Sequence, residues 1–331
     1  MSTTVPGTVP APLFSDPVHQ APTDPVLVEA PDGTWRMLYT QRRAGDRSPG
    51  FTWVHGTEIG VATSDDGGRT WRYAGVVQGL DHLEGRNTLW APEVVRVDGT
   101  YHLFLSHVPG VHVSWDGRRS ITHHISPDLE RWTFRGELPL SSDRVIDACH
   151  IALPDGGHRL WYKDEARGSQ QWCVDSPDLV TWSASRPVIT DPPGEGANVF
   201  RLGGWYWLLV DEWRGQGVYR STDAETWERD GIILGEPGSR PWDQGTGRHA
   251  DVVVGRTTAG EEVAWVFYFT HRVEPGPGNV MTTDRLDSDG IPAAHRTDIQ
   301  VAQAAVIDGH LVCDRDAPVD LDLRRAHTIA G

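Results

Sequence analysis

Residues 191–211 read D-P-P-G-E-G-A-N-V-F-R-L-G-G-W-Y-W-L-L-V-D, and this stretch decides the fold. Glu195 lies between Gly194 and Gly196, and an apolar run, the pair Gly203–Gly204 and a second, aromatic run follow it. Glycine between two apolar runs is typical of a tight β-hairpin turn, because glycine tolerates the positive φ angles that such turns need. The stretch therefore predicts a β-hairpin with a carboxylate at its entrance.

The same hairpin recurs along the chain. Its turn glycines are Gly33, Gly99, Gly156, Gly204 and Gly260. Repeats of roughly 40–50 residues that contain only strands are typical of β-propellers, in which each repeat is one blade. We therefore predict an all-β fold, a five-bladed β-propeller with a pocket on its central axis. Residues 297–312 are predicted to form the hairpin that completes the last blade.

Shorter repeats occupy the predicted outer turns. Ser-x-Asp pairs followed by a tryptophan begin at Ser64, Ser126, Ser176 and Ser221. Short polar side chains bond turn backbone, so these residues are interpreted as turn scaffolding. Two longer irregular loops, residues 41–56 and 237–250, are predicted to line the mouth of the pocket.

Composition limits the classes of function. The net charge of −16 disfavours binding to nucleic acids or anionic membranes, which requires basic patches. No run of about 18 apolar residues predicts a membrane span. Three cysteines without metal-ligand spacing suit a reducing compartment, and the first residues lack signal-peptide features, so we expect a cytoplasmic protein. Residues 1–20 are predicted to be an extended N-terminal arm and residues 21–331 a single propeller domain.

Acidic residues fall near the starts of the predicted inner strands. Asp24, Asp147 and Glu195 each precede the turn of their unit by eight residues, and Glu93 and Asp251 come two places later. Because inner strands surround the axis of a propeller, all five acids are expected to face a shared funnel. Crowded carboxylates raise one another's pKa values, which points to chemistry rather than to packing.

These motifs resemble those of a known family. Asp24-Pro25, the run Trp90–Glu93, Ile146-Asp147, Glu195-Gly196 and the run Gly247–Asp251 are similar to the successive blade motifs of glycoside hydrolase family 43. The resemblance covers about residues 20–270. It implies a five-bladed propeller enzyme, mostly inverting, that acts on arabinofuranosides or xylosides.

The resemblance also implies roles for the acids: Asp24 as general base, Glu195 as general acid, and Asp147 as the group that orients the acid and tunes its pKa. Inverting hydrolysis needs one carboxylate that activates water and one carboxylic acid that protonates the leaving oxygen. The chain departs from the family pattern at Glu93, Ala148 and Ala197, where the family usually has Asp, Pro and Pro. These departures concern the subfamily and the sugar more than the mechanism.

Further residues are candidates for binding substrate. The predicted contacts are Trp90, Glu93, Arg248, His249 and Asp251. Trp53, Trp213, Arg42, Arg43 and Arg214 are weaker candidates, and Trp205 is expected to pack in the core. No cofactor is predicted to be required, but the family resemblance implies a structural Ca²⁺ on the axis with His249 as its candidate ligand.

Several other functions fit parts of the sequence. A sugar-binding propeller without turnover would keep the pocket, and a related propeller glycosidase would act on another sugar. A sialidase-like enzyme is disfavoured because it needs six blades, an arginine cluster and a tyrosine nucleophile. A phosphorylase would need basic residues that converge beside the acid. The fructosidase motifs Asn-Asp-Pro-Asn and Arg-Asp-Pro are not present.

Overall fold

The computed structural model describes residues 9–274 and 285–327, and it confirms the predicted all-β fold of five blades. Each blade is an antiparallel sheet of four consecutive strands. Blade one contains β1 (Gln20–Glu29), β2 (Trp35–Arg43), β3 (Glu58–Ser64) and β4 (Arg72–Val76). Blade two contains β5 (Thr88–Val97), β6 (Thr100–Val108), β7 (Ser120–Ser126) and β8 (Thr133–Glu137). Blade three contains β9 (Val145–Ala152), β10 (His158–Asp164), β11 (Gln170–Ser176) and β12 (Arg186–Ile189).

The last two blades follow the same plan. Blade four contains β13 (Glu195–Leu202), β14 (Trp205–Asp211), β15 (Gln216–Ser221) and β16 (Glu228–Ile233). Blade five contains β17 (Arg248–Arg256), β18 (Glu262–His271), β19 (Thr297–Ile307) and β20 (His310–Cys313), so the hairpin predicted at residues 297–312 does complete it. Short 3-10 turns occur at Thr52–Val54, Glu165–Arg167, Ala293–His295 and Leu323–Arg325. The described residues contain no helix long and apolar enough to cross a bilayer.

The first strand of each blade lies at the axis. Strands β1, β5, β9, β13 and β17 contact one another in a closed ring. Hydrophobic clusters fill the five interfaces between neighbouring blades, and the second strands contribute large buried side chains such as Trp161, Trp207 and Trp265. The core therefore lies between the blades, and the axis is left for polar groups.

Side chains from both chain ends close the ring between blades five and one. Leu13, Phe14 and Leu321 are buried in the cluster at this interface, and the backbone of Leu13 and Phe14 bonds to Ile299. Burying a large apolar side chain contributes about 1.5–3 kcal/mol, so these residues help to seal the propeller. Leu13 and Phe14 lie inside the segment 1–20 that was predicted to be an extended arm; the division into an arm and one domain stays a prediction.

The Ser-x-Asp pairs form the predicted turn scaffolds. In blade two the Ser126 hydroxyl accepts the N–H of Leu129 at 2.9 Å, and Asp128 accepts the N–H groups of Glu130 and Arg131 at 2.9 and 3.0 Å. Equivalent bonds occur after Ser64, Ser176 and Ser221. These aspartates stabilise the outer turns, so the candidates for catalysis are the acids near the axis.

Candidate active site

A β-bulge interrupts every inner strand near its start. At the same level in all five blades, two residues of the inner strand face one residue of the second strand. In four blades the first bulge residue has a positive φ angle, +51° at Asp24, +40° at Ala91, +61° at Asp147 and +57° at Gly196. Left-handed backbone is strained for residues other than glycine, and such strain is often found at functional sites. The bulges turn one residue of each blade out of the regular pleat.

The first bulge residues form one layer around the axis. The five members are Asp24, Ala91, Asp147, Gly196 and His249. Glu195 is therefore one residue earlier than Asp24 and Asp147 in the strand register, opposite Asp211, and the predicted common register is wrong by one residue. Two differences between the blades cause this. Blade four turns on Gly203 and Gly204 alone, whereas blade one uses a longer turn closed by Ala30 and Thr34, and the inner strand of blade four is one residue longer between bulge and turn.

At four of the bulges, the backbone N–H of the first bulge residue donates a hydrogen bond to a side chain of the preceding blade. The bonds run from Ala91 to Thr40 (2.8 Å), from Asp147 to Ser106 (2.9 Å), from Gly196 to Asp147 (3.2 Å) and from His249 to Asp211 (3.0 Å). Each bond joins the inner strand of one blade to a side chain of the blade before it. Because buried donors are costly when unpaired, these bonds fix the relative position of the axial residues.

Asp24 is held as a carboxylate. Its Oδ1 lies 3.4 Å from Nδ1 of His249, and its Oδ2 lies 3.8 Å from Arg42 and accepts the Thr23 hydroxyl at 3.0 Å. Burial alone would raise the pKa of Asp24, but the charge of Arg42 and the bond with His249 outweigh burial and lower it. Burial would lower the pKa of His249, yet Asp24 raises it to about 9. At neutral pH this is an ion pair.

Asp147 and Glu195 influence each other's protonation. Burial raises the pKa of Asp147 to about 7, and the nearby Glu195 carboxylate adds to this although His249 opposes it. Burial would also raise the pKa of Glu195, but the ammonium of Lys163 outweighs it and lowers that pKa. Of the two groups, Asp147 therefore holds a proton more readily than Glu195, and their titrations are linked.

Lys163 is the site residue that the sequence reasoning missed. Its buried Nζ lies 2.8 Å from Oε2 of Glu195 and 3.3 Å from Oε1 of Glu165. Lys163 lies near the end of β10, opposite Ile146. The residues at the equivalent position in other blades are Thr40, Ser106 and Asp211. Those residues accept the next blade's N–H, whereas a lysine has no acceptor and pairs with the acid instead. One sequence signal could have found it, because Lys163 is the sole lysine in 331 residues.

An aromatic pocket of about 240 Å³ is lined by Glu195 and Lys163, whereas Asp24, Asp147 and His249 do not line it. Its aromatic lining comprises Phe51, Trp53, Trp115, Trp213 and Phe269, and its charged lining comprises Arg42, Lys163, Glu165, Glu195 and Arg248. Phe51 packs against Trp115 at 4.9 Å between ring centroids, and its N–H donates to Val113 at 3.0 Å. The predicted mouth loop 41–56 does line the pocket, together with the unpredicted loop around Trp115. From the other predicted loop, 237–250, only Arg248 at its strand end lines the pocket.

Glu93 and Asp251 lie in a second axial layer, two residues beyond the bulges, and they do not line the pocket. Glu93 accepts the N–H of His150 at 2.8 Å, while Asp251 accepts the N–H of Leu27 at 2.8 Å and the amide of Asn198 at 3.0 Å. Burial raises both pKa values. These contacts hold neighbouring blades together. Both acids therefore have a structural role in the propeller, and their predicted contact with substrate stays a prediction.

The other candidates have specific places. Trp90 is buried and donates its indole N–H to Val54 at 2.6 Å, which supports the mouth loop rather than forming the pocket wall. Arg248 lines the pocket and pairs with Glu274 at 3.2 Å. Arg43 bonds the carbonyl groups of Thr52 and His55, Arg214 pairs with Glu212, and Trp205 packs partly buried against Arg220. The three pocket cations Arg42, Lys163 and Arg248 each already contact a carboxylate, which disfavours a phosphate site.

The family resemblance implies a Ca²⁺ ion on the axis, and the axial side chains are its candidate ligands. Ca²⁺ takes six to eight oxygen ligands, yet Nδ1 of His249 faces Asp24 and both oxygens of Asp251 already accept hydrogen bonds. Within the described part of the chain, three metal-ligating side chains converge within 4.8 Å only at Asp81, His82 and His107, which do not line the pocket. The axial side chains alone do not fit a Ca²⁺ cage, and a metal at His249 stays a prediction.

Comparisons with known proteins agree with this architecture. No family model matches the chain. The chain is 27% identical over 190 residues to the probable arabinan endo-1,5-α-L-arabinosidase A of Emericella nidulans, an alignment that covers 53% of this chain and 57% of the relative. It is 26% identical over 172 residues to the arabinan endo-1,5-α-L-arabinosidase A of Aspergillus aculeatus, covering 48% of this chain and 52% of the relative. The chain thus spans about half the length of the curated relatives it matches.

Solved structures match nearly the whole chain. A GH43_1 enzyme from Xanthomonas citri superposes with a TM-score of 0.67 at 15% identity, covering 94% of this chain and 95% of that one. A GH43 β-xylosidase/α-arabinofuranosidase from a compost microbial metagenome, in complex with xylotriose, superposes with a TM-score of 0.66 at 13% identity, covering 94% and 98%. These structures confirm the fold, and the relatives together confirm the resemblance to glycoside hydrolase family 43.

Proposed function

We propose that this protein is an inverting glycoside hydrolase that removes terminal pentosyl residues, arabinofuranosyl or xylosyl, from oligosaccharides. One observation carries the proposal. Acids from three blades, Asp24, Asp147 and Glu195, are gathered around His249, and Glu195 lines a small aromatic pocket, although the sequence separates the first acid from the last by more than half of the chain. Packing alone does not require two carboxyl groups at strained bulges and a third directly before the bulge of the next blade.

The electrostatics divide the roles between the acids. Asp24, ionised beside Arg42 and His249, is the general base that takes a proton from water as the water attacks the anomeric carbon. The bond from that carbon to the leaving oxygen breaks, and Glu195 gives its proton to the oxygen. Asp147 holds a proton more readily than Glu195 and accepts the N–H of Gly196, so we assign it two roles, to supply the acid's proton and to orient the strand of the acid.

The pocket favours a terminal sugar. Its volume of about 240 Å³ lies below the roughly 300–1,000 Å³ of typical ligand sites, and the contact between Phe51 and Trp115 joins two mouth loops across one side. An endo-acting enzyme needs an open groove for a polymer. The curated relatives are named for endo action on arabinan, whereas the compost enzyme is named for xylosidase and arabinofuranosidase activity. The enclosed shape supports the second kind of substrate.

A panel of aryl glycosides and unactivated pentosyl disaccharides tests the proposal. We expect the protein to hydrolyse at least one terminal pentoside, and we expect Glu195→Gln to reduce kcat on unactivated substrates by roughly 10²–10⁴-fold, the usual contribution of acid catalysis. Activated aryl glycosides should lose less because their leaving groups need little protonation. Glu228→Gln, an exposed change in the same blade, is the matched control and should leave activity unchanged. Equal losses on both substrate types would remove Glu195 from the acid role.

One observation favours a second candidate, a sugar-binding propeller without turnover. The pair formed by Lys163 and Glu195 leaves the proposed acid ionised in the free protein. Isothermal titration with pentose oligosaccharides distinguishes the two functions. A binding protein would hold the sugars without releasing product, and Glu195→Gln would then change affinity but no rate.

A further inference from the structure

The sole lysine of the chain is buried in the candidate site, and this placement rests on more than one contact. The side chain of Lys163 is 4% exposed, and its Nζ reaches Glu195 on blade four and Glu165 just beyond its own strand. The ammonium also lies 5.5 Å from the centre of the Trp213 ring, a pocket residue. A buried ammonium is costly unless it is paired, so the fold has to place carboxylates around it.

The two carboxylate partners of Lys163 are not equivalent. Glu165 already bonds the fully buried Arg119 and lies 3.7 Å from Arg144, so other cations compensate its charge. Glu195 has no arginine within ion-pair distance in the described residues, and Lys163 is its cationic partner by direct contact. The other ionisable groups that act on Glu195 or are acted on by it are Asp147, Asp211 and His249, and Arg248 acts on Asp211. Removing the ammonium would therefore change Glu195 far more than Glu165.

We propose that Lys163 is a positioning residue that fixes the Glu195 carboxyl group and keeps it ionised until a glycoside occupies the pocket. This inference rests on the proposed hydrolase function. Before reaction, the pair of Asp147 and Glu195 holds one proton, on Asp147. As the leaving oxygen approaches Glu195, Lys163 keeps its bond to Glu165, and the proton of Asp147 is transferred to Glu195 and then to the leaving oxygen. Asp24 receives one proton from the attacking water, so the reaction leaves the net charge of the site unchanged. Release of that proton to solvent and uptake of one by Asp147 restore the starting state.

Kinetics over a range of pH test this role. In Lys163→Met the alkaline limb of kcat/KM should move to higher pH, because the cation that favours ionised Glu195 is gone. We also expect kcat on unactivated substrates to fall by roughly 10- to 100-fold, the effect of a mispositioned catalytic group. Lys163→Arg keeps the charge, so its alkaline limb should stay at the wild-type pH. A uniform loss at every pH, with the limb unmoved in Lys163→Met, would show a merely structural role and would overturn the inference.

A second measurement needs no substrate. Because the chain has one lysine, biosynthetic ε-¹³C-lysine gives a single side-chain signal in the full-length protein. That signal should shift as the pair of Asp147 and Glu195 titrates, and the step should be lost or displaced in Glu195→Gln. An identical titration in both proteins would refute the contact in solution. If wild-type protein hydrolyses no glycoside but the step is lost in Glu195→Gln, the proposed function fails while the contact between Lys163 and Glu195 stands.

Discussion

Asp147→Asn should make the protein more stable at alkaline pH while it abolishes activity. Burial raises the pKa of Asp147 from its ordinary 3.8 to about 7. The folded state therefore binds more protons at this site than the unfolded state, so stability falls as pH rises from about 4 to about 7 and the full cost is present above 7. A difference of about three pKa units corresponds to about 4 kcal/mol, at 1.36 kcal/mol per unit. Since Glu195 shares this titration, we expect a gain of about 2–4 kcal/mol for the variant at pH 8.

Asp24→Asn is the matched control, because it makes the same substitution at the equivalent bulge of another blade. Arg42 and His249 lower the pKa of Asp24, so its ionised form stabilises the fold at neutral pH and that stability is lost only in strong acid. This variant should therefore be less stable than the wild type at pH 8, the opposite sign to Asp147→Asn.

Urea unfolding of the three proteins at pH 4, 6 and 8 measures both effects. The gain for Asp147→Asn should be small at pH 4 and should grow with pH, while both variants are inactive at every pH. Parallel stability curves for wild type and Asp147→Asn, with a difference of equal size at all three pH values, would refute the claim that Asp147 holds a proton because of burial.

Two further changes address the geometry of the pocket. In Gly196→Ala the new Cβ would lie 2.6 Å from the His249 ring, at a residue whose φ is +57°. We therefore expect the free energy of unfolding to fall by at least about 2 kcal/mol in urea unfolding, and kcat to fall in aryl glycoside kinetics. Wild-type activity would show that the ring has room to move. Trp115→Ala should raise KM by roughly tenfold, which corresponds to about 1.4 kcal/mol of binding free energy, with little change in kcat. The reason is that the Trp115 side chain lies at the mouth of the pocket rather than beside the acids. An unchanged KM on every pentoside would exclude Trp115 from substrate binding.

The sequence was sufficient to predict the architecture. Asp-Gly and Gly-Gly turns between apolar runs act locally, so the five hairpins, the last hairpin at residues 297–312 and the turn scaffolds at Ser126 and its equivalents could be read directly. The same signals placed Asp24, Asp147 and Glu195 at the inner ends of three blades, and the structure brings them together.

The details of the site depended on register and on contacts between blades. Counting back from the turns misplaced Glu195 by one residue, because turn lengths differ among blades and each inner strand contains a bulge. Glu93 and Asp251 have acidic side chains like the others, but they lie two residues beyond the bulges and therefore belong to the next axial layer. Lys163 lies on a second strand, where no pattern marked an axial residue, and its partner is 32 positions away on another blade.

The stereochemistry of the first-formed sugar tests the central claim most directly. If Asp24 activates water on the face opposite the bond that Glu195 protonates, proton NMR recorded in the first minutes of pentoside hydrolysis should show the anomer of inverted configuration. Accumulation of the retained anomer before mutarotation would mean that a carboxylate attacks the sugar itself, and it would contradict the roles assigned here to Asp24 and Glu195.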